Sequence, residues 1–546
     1  MENGKCGAKG KASSSRLQLD NAYEMRKLYA VFLWLPLIFF LAFCIYQATR
    51  SPVHDFANYY YGSQFTLQGV FDKSMYEPLI FNQKIIASGY DNSWISYSPN
   101  PPFTTLLFIP FAYLDIEHAK FIFNIVSAIL FLFSLRRLAR ALEIPEKHIG
   151  FIPFIFLLPI YNNVSFGQVY FFLFFLLVEG YLAMKEDKWV LCSFVWAIAI
   201  IFKITPGVLF FFLLFKRKYK GLIMLSAACL MLFSISLIVN GTELWQFYIS
   251  TILPKASQGE VTAASFTINY QSAHMFLKFL FVPDSLDNPD PFVESWTLFT
   301  VAMLVVKIAA ITFAGLYTRR EGSLFSSWSV WILVSFLISP YSSTYTYILL
   351  LIPLFILYRW KKAFIFYALL TFLLINIPAN YLYSVPLLFQ FPRLYLLLIL
   401  FVTIIASAKI VWNWKTPVFV ACLFISIEVL TFRDQAFDNS AYLFDKHAPP
   451  LIYDYTIEDG YFCYAYWSDH GTQKHKTGLP AVALDFNSVE IIDNQIYYND
   501  QQITSTSDKK VKASILDNNT IVYLSDKGRG YGFYAFRKIT LSANSL

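Results

Sequence analysis

Apolar residues run almost unbroken from Leu28 to Phe432, cut at intervals by short polar or basic breaks. Runs of this kind mark a polytopic helical membrane protein, because a helix needs ~20 apolar residues to cross a bilayer. Divided at the breaks, the pattern predicts spans over 28–48, 119–135, 149–161, 169–184, 190–202, 206–215 and 221–239, then 299–317, 324–339, 346–358, 363–379, 394–412 and 416–432. That is about 13 crossings. The run Phe103–Leu114 follows Pro101-Pro102 and is too short to span, so an interfacial or re-entrant segment is expected there. Two consecutive pairs, 149–161 with 169–184 and 190–202 with 206–215, also fall short of a full crossing. Broken helices persist at membrane depth only where their loosened backbone lines a cavity or is buried in protein. The breaks themselves, Asn162-Asn163-Val164-Ser165-Phe166-Gly167-Gln168 and Lys203-Ile204-Thr205-Pro206, therefore predict one shared cavity on the outer side.

After residue 432 the pattern changes. Short alternating runs, Tyr461–Tyr466, Thr520–Leu524 and Tyr531–Phe536, are separated by the turn pairs Asp459-Gly460 and Asn518-Asn519. These predict an all-β soluble domain over 433–546, too small for a closed propeller and therefore a single antiparallel sheet or a small sandwich. Nothing in its sequence suggests chemistry of its own.

Composition sharpens the picture. Hydrophobic residues make up 57% of the 546 and charged residues only 14%, against about 25% charged in soluble proteins. Soluble enzymes, nucleic-acid readers and disordered scaffolds are excluded. The charges also divide the chain, since 25 of the 79 lie in the last 114 positions. The net charge of +7 follows topology and implies no nucleic-acid partner. Met1–Lys27 is basic, and further clusters stand at Arg136/Arg137/Arg140, Lys185/Lys188, Lys216–Lys220, Arg319/Arg320 and Arg359/Lys361/Lys362. By the positive-inside rule these face the cytoplasm. The expected organisation is a cytoplasmic tail 1–27, a membrane domain 28–432 with a large external loop 51–118, and an extracytoplasmic domain 433–546 in a multi-pass protein of the plasma (inner) membrane. The first apolar run reads as a retained helix, not a cleaved signal.

Several sites are missing from the sequence. Six scattered cysteines give neither a zinc spacing nor a disulfide framework. No P-loop, His-Glu-x-x-His or Asp-x-Asp occurs, which argues against an ATP or cytoplasmic nucleotide-sugar site. No cofactor is expected and no metal, with Asp55 and Glu77 left open as a weak pair.

The chemistry-bearing residues sit in the loops and breaks. Asp55 lies a few residues beyond the first span, among aromatics, where partial desolvation makes a carboxylate a stronger base. The plainer reading is a solvated aspartate capping the helix that follows. Lys203 stands between two apolar half-helices, either facing a cavity suited to a lipid phosphate or snorkelling to the interface. Asn162, Asn163 and Gln168 are hydrogen-bonding candidates for the same cavity, or a simple polar turn. Tyr341–Tyr347, which includes Tyr345, reads as an aromatic belt or a sugar-stacking wall. Arg393 reads as an interfacial anchor or a second phosphate partner.

In order along the chain stand Asp55-x-x-x-Tyr59-Tyr60, Gly69, Met75-Tyr76-Glu77 and Tyr97-x-Pro99-x-Pro101-Pro102-Phe103. Asn163-x-x-x-Gly167-Gln168, Lys203-x-x-Pro206, Gln271-Ser272 and Ser339-Pro340 follow. Over roughly 28–412 this series resembles glycosyltransferase family 87, polytopic GT-C type α-mannosyltransferases that use polyprenyl-phosphate-mannose. The resemblance implies a GT-C-like membrane domain, Asp55 as general base, and a sugar donor carried on a lipid outside the cytoplasm. With the reading of the residues it gives Tyr59, Glu77, Asn163, Gln168, Lys203, Gln271, Tyr345 and Arg393 as substrate-binding candidates. The family often carries a Trp and one or two His after Ser-Pro, where this chain has Ser343, Tyr345 and Thr346; the sugar and the acceptor stay open.

The expected reaction is transfer of a sugar, mannose as first guess, from a polyprenyl-phosphate carrier to a glycan or glycolipid acceptor by one inverting displacement. The partners would be that donor, that acceptor and membrane lipids. A secondary transporter or flippase of a lipid-linked sugar is the alternative, since paired broken helices suit transport too. No clear internal repeat and few intramembrane ionisable residues speak for it.

Overall fold

A computed structural model describes residues 33–90, 95–358, 361–431, 440–468, 471–481, 483–517 and 519–541. The basic segment 1–27, Arg359 and Asn518 of the predicted turn pair lie outside these residues.

The first part of the chain is helical. Three helices among the described residues are long and apolar enough to cross a membrane: Ile116–Ala141, Tyr219–Asn240 and Trp296–Arg320. The pair Ile152–Ser165 and Tyr170–Lys185 passes the same test together, bent by 114° at its break. Eight further apolar helices have 10–17 residues. By length, then, three or four crossings are supported, and the expected count of about 13 is reached only if shorter helices span as well.

Local chemistry sets the ends of these helices. Asp115 accepts a hydrogen bond from the His118 amide at the start of Ile116–Ala141, with Glu117 in the first turn and Arg140 in the last. Ser295 caps Trp296–Arg320 in the same way, and Arg319 and Arg320 close it. Acidic or accepting groups at the N-terminus and cations at the C-terminus complement the helix dipole. Pro206 enters a one-turn segment, Thr205–Gly207, and separates Trp189–Phe202 from Val208–Phe215. Aromatic packing fills the helical core: Tyr181 stacks on Trp328 at 4.6 Å, and Trp331 lies against Phe211 and Phe215.

The loop after the first helix, Leu33–Ala48, is structured. It holds the helices Phe56–Leu67, Pro78–Ala87 and Thr104–Leu107 and the single turn Lys73–Tyr76. The run Phe103–Leu114 spans nothing. It folds under Phe56–Leu67, where Phe108 stacks on Tyr59 at 4.8 Å.

The C-terminal part is all-β. Its strands are β1 (Ala441–Tyr442), β2 (Ile452–Glu458), β3 (Tyr461–Ser468), β4 (Gly471–Pro480), β5 (Val489–Ile492), β6 (Gln495–Tyr498), β7 (Gln501–Gln502), β8 (Lys510–Asp517), β9 (Thr520–Ser525) and β10 (Ala535–Thr540). They form three sheets with orders β1-β10-β9-β8, β2-β3-β4 and β5-β6-β7. Ile452, Tyr455, Phe462, Val522, Leu524 and Phe536 join the first two into a small sandwich. The predicted strand Tyr531–Phe536 is displaced: β10 begins at Ala535, and residues 526–534 form a loop.

That loop and its neighbours attach the sandwich to the helical part. Lys255 pairs with the fully buried Asp526 carboxylate at 3.0 Å, Lys509 pairs with Glu77, and His447 meets Asp287 at 2.9 Å. Tyr442 donates to Asp284 at 2.9 Å.

Candidate active site

The site grows from two segments that the sequence separates by more than a hundred residues. Phe56–Leu67 starts directly after Asp55, and the break 166–169 lies beside it, with the Phe56 amide donating to the Phe166 carbonyl at 3.1 Å. Gly167 permits this approach. Its φ is +64°, and a Cβ there would stand 2.6 Å from Cβ of Phe56. The break is thereby fixed against the start of the loop helix, which brings Gln168 to Asp55.

Asp55 occupies the N-cap position of its helix but makes no side-chain capping bond. Its Oδ2 instead accepts from Nε2 of Gln168 at 2.6 Å, and Oε1 of Gln168 accepts from the Tyr59 hydroxyl at 3.1 Å. Asp55 is partly buried. Burial pushes its carboxyl above the usual carboxylate range, opposed by the Gln168 hydrogen bond and by the charges of Lys203, His54 and Lys120. His54 sits in the left-handed region at φ +53° with its ring edge-on to Phe166, and burial and Lys120 hold its imidazole below its ordinary pKa. Strained residues of this kind gather at functional sites.

Lys203 is the cation of the site. Its Nζ donates to Oδ1 of Asn100 at 3.1 Å and lies 5.5 Å from the centre of the Tyr59 ring. Asn100 is held in turn, its amide donating to the Tyr97 carbonyl and its own carbonyl accepting from the Tyr76 hydroxyl, both at 2.8 Å. Lys120 donates to the carbonyls of Pro52 and Ala48, tying the start of Ile116–Ala141 to the segment that carries Asp55. Aromatic rings stand nearby. Tyr345 meets Tyr170 at 5.4 Å and Phe166 at 6.1 Å, and Tyr270 meets Tyr341 at 5.1 Å. The Asp55 charge acts on Tyr59, Tyr170, Tyr270 and Tyr345, so all four phenols lie within its field.

A carboxylate with raised basicity, a lysine linked to it through Tyr59 and Gln168, and a group of tyrosines can accept a proton, neutralise an anion and stack on a sugar ring. Residues 99–340 match the model of glycosyltransferase family 87. That stretch of the helical part is similar to family 87 glycosyltransferases. No curated protein matches the chain. The matched stretch contains Asn163, Gln168, Lys203 and Gln271, whereas Asp55, Tyr59, Glu77, Tyr345 and Arg393 lie outside it.

The residues expected from sequence separate into two groups. Asp55, Gln168, Tyr59 and Lys203 are joined by direct contacts, and Tyr345 lies against Tyr170 and Phe166 beside them. Asn163 stands just behind them: its Oδ1 accepts from the Tyr170 amide at 3.1 Å, while its buried Nδ2 makes no hydrogen bond among the described residues. The others are engaged elsewhere. Glu77 pairs with Lys509 of the β domain. Gln271 is fully buried and donates to the carbonyls of Ile268 and Gln390, both at 2.7 Å. Arg393 is also fully buried, and its guanidinium reaches the carbonyls of Ile375 and Ile377 and the Thr344 hydroxyl. Asn100 and Tyr170 belong to this cluster and were not expected. Asn100 stands inside the Tyr97–Phe103 motif and Tyr170 two places after Gln168, so proximity to the motifs was the available signal. No group of three or more His, Cys, Asp or Glu suited to a metal occurs among the described residues.

Proposed function

We propose that this protein is a glycosyltransferase that moves a sugar, mannose in the first instance, from a polyprenyl-phosphate carrier to the hydroxyl of an extracytoplasmic glycan or glycolipid. Asp55 takes the proton of the acceptor hydroxyl as its oxygen attacks the anomeric carbon. The bond from that carbon to the phosphate oxygen breaks, and the phosphate leaves with the electron pair and a charge that Lys203 offsets. One displacement inverts the anomeric centre, and no second carboxylate is needed. Tyr59, Tyr170 and Tyr345 offer ring faces to the sugars, and Gln168 orients the base.

The observation that carries this reading is the choice made by the Asp55 side chain. It leaves the helix amides it was placed to cap and turns to Gln168, which also accepts from Tyr59, the ring beside Lys203. The test is sugar transfer in membranes containing the full chain, offered a panel of polyprenyl-phosphate sugars, with Asp55→Asn beside the native protein. General-base catalysis is worth about 10²–10⁴ in rate, so the variant should lose that much. Near-native transfer by Asp55→Asn would remove Asp55 from the role. Failure of the native protein with every donor, while it carries a lipid-linked sugar across the bilayer, would favour transport.

A further inference from the structure

We infer that the loop 526–534 of the β domain is a positioning element of the active site, gripping it from two sides at once. The inference rests on the proposed reaction for its kinetic readout only.

One grip leads to Lys203. Lys509, bound through its amide to Oδ1 of Asp526 at 2.7 Å, pairs with Glu77. A Cβ on Gly532 would stand 2.8 Å from Cδ of Pro78, so the loop backbone lies directly on the start of Pro78–Ala87. Next to Glu77 is Tyr76, whose hydroxyl holds the Asn100 carbonyl, and Asn100 holds Lys203. From the loop to that lysine the path runs through Glu77, Tyr76 and Asn100.

The other grip leads to Tyr345. The Gly530 amide donates to the Thr262 carbonyl at 2.8 Å, and Arg529 donates to the Ala263 carbonyl at 3.3 Å. A Cβ on Gly530 would fall 2.3 Å from the Thr262 nitrogen and 2.5 Å from the Val261 carbonyl carbon. Both are backbone atoms that cannot swing aside. Lys255 anchors the same segment to Asp526. The segment continues to Tyr270 and Gln271, where Gln271 binds the Ser342 carbonyl through its amide and Ser272 binds the Pro340 carbonyl. Residues 340–345 carry Tyr345 into the site.

A domain attached only as a recognition module would need neither grip. Here a loop with glycines at 528, 530 and 532 is shaped to lie against two membrane-domain loops, and each leads within a few residues to a side chain of the site. The expected effect of Gly530→Ala follows. The added carbon must displace the 261–263 backbone, and a displacement near 1 Å at a reacting centre costs about 10²-fold in rate.

The experiment compares full-length native protein, Gly530→Ala and, as control, Gly478→Ala, where a Cβ meets open space. Amide exchange is followed at 73–77, 97–100 and 255–272, with kcat and KM for donor and acceptor. Faster exchange in these segments for Gly530→Ala, with lowered kcat or raised acceptor KM and an unaltered control, is the expected result. Unchanged exchange overturns the inference, and so does faster exchange with native kinetics. Should Gly530→Ala fail to fold, the charge exchange decides: Lys509→Glu alone should lower turnover, and Glu77→Lys with Lys509→Glu should restore most of it. No restoration also overturns the inference. If the native protein transfers no sugar, the proposed reaction fails while exchange still tests the grip.

Discussion

A carboxylate that removes a proton from a sugar hydroxyl must be ionised when substrate arrives and basic enough to keep the proton. Burial raises the Asp55 pKa, whereas Gln168, Lys203, His54 and Lys120 hold it down. The base works ionised, so kcat/KM should fall as pH drops through a pKa above the ordinary 3.8. Gln168→Leu removes a bond that favours the carboxylate, and the acid limb should move to higher pH. A profile superimposable on the native one would show that Gln168 does not tune the base. Lys203→Met should move the limb in the same direction. It should also lower the plateau by roughly 10²–10³-fold, the usual cost of losing one group that stabilises developing charge. A normal plateau would take Lys203 away from the leaving phosphate. Asp55 was visible in the sequence, and the family resemblance put it forward as general base, while its position alone left a helix cap open. A helix-capping aspartate and a base look identical in the residues alone; in the structure the side chain makes no capping bond and accepts from Gln168, more than a hundred residues away.

Among the elements, the broken helices were the most legible and their fastenings the least. Residues 162–168 and Lys203-Ile204-Thr205-Pro206 read as polar breaks because apolar runs stop short of a crossing there, and the structure bends the first pair by 114°. Arg393 shows the limit of that reading. An arginine entering an apolar run looks alike whether it anchors, binds ligand or ties backbone together, because backbone carbonyls leave no mark in the sequence. Here it satisfies the carbonyls of Ile375 and Ile377 where Lys361–Ile375 ends, and the Thr344 hydroxyl. Arg393→Met leaves those acceptors without a partner, at about 1–3 kcal/mol for each buried group. Purified Arg393→Met should melt at lower temperature than the native protein, and the folded fraction should keep its KM for donor. A raised donor KM with unchanged melting would instead make Arg393 a substrate ligand.

At the scale of the molecule, three long helices share one polarity. Ile116–Ala141 begins beside Pro52 at the site, through Lys120, and Arg136, Arg137 and Arg140 lie toward its far end, 26 residues in all. Tyr219–Asn240 follows Lys216–Lys218 and ends where Asn240 donates to the Pro102 carbonyl. Trp296–Arg320 begins beyond the loop that Tyr442 binds at Asp284 and ends at Arg319 and Arg320. At 1.5 Å per residue these helices are about 33–39 Å long, enough to cross a hydrocarbon core of about 30 Å. The site and β domain thus share one end, and the cations hold the other. The charge pattern predicts that these two ends lie on opposite sides of a membrane. The docking of the β domain was not announced: the alternation in Tyr531–Phe536 reads as strand, yet Tyr531 packs on Phe247 and lies beside Lys255 and Lys509. The positive-inside rule then gives a definite outcome for labelling. In a cysteine-free background, Gly478→Cys lies on the exposed strand β4 and Lys185→Cys at the exposed end of Tyr170–Lys185. A membrane-impermeant maleimide applied to intact cells should label position 478, and should label position 185 only after permeabilisation. The reverse pattern would put the site in the cytoplasm, where sugar nucleotides are available. A lipid-linked donor would then lose its physical rationale.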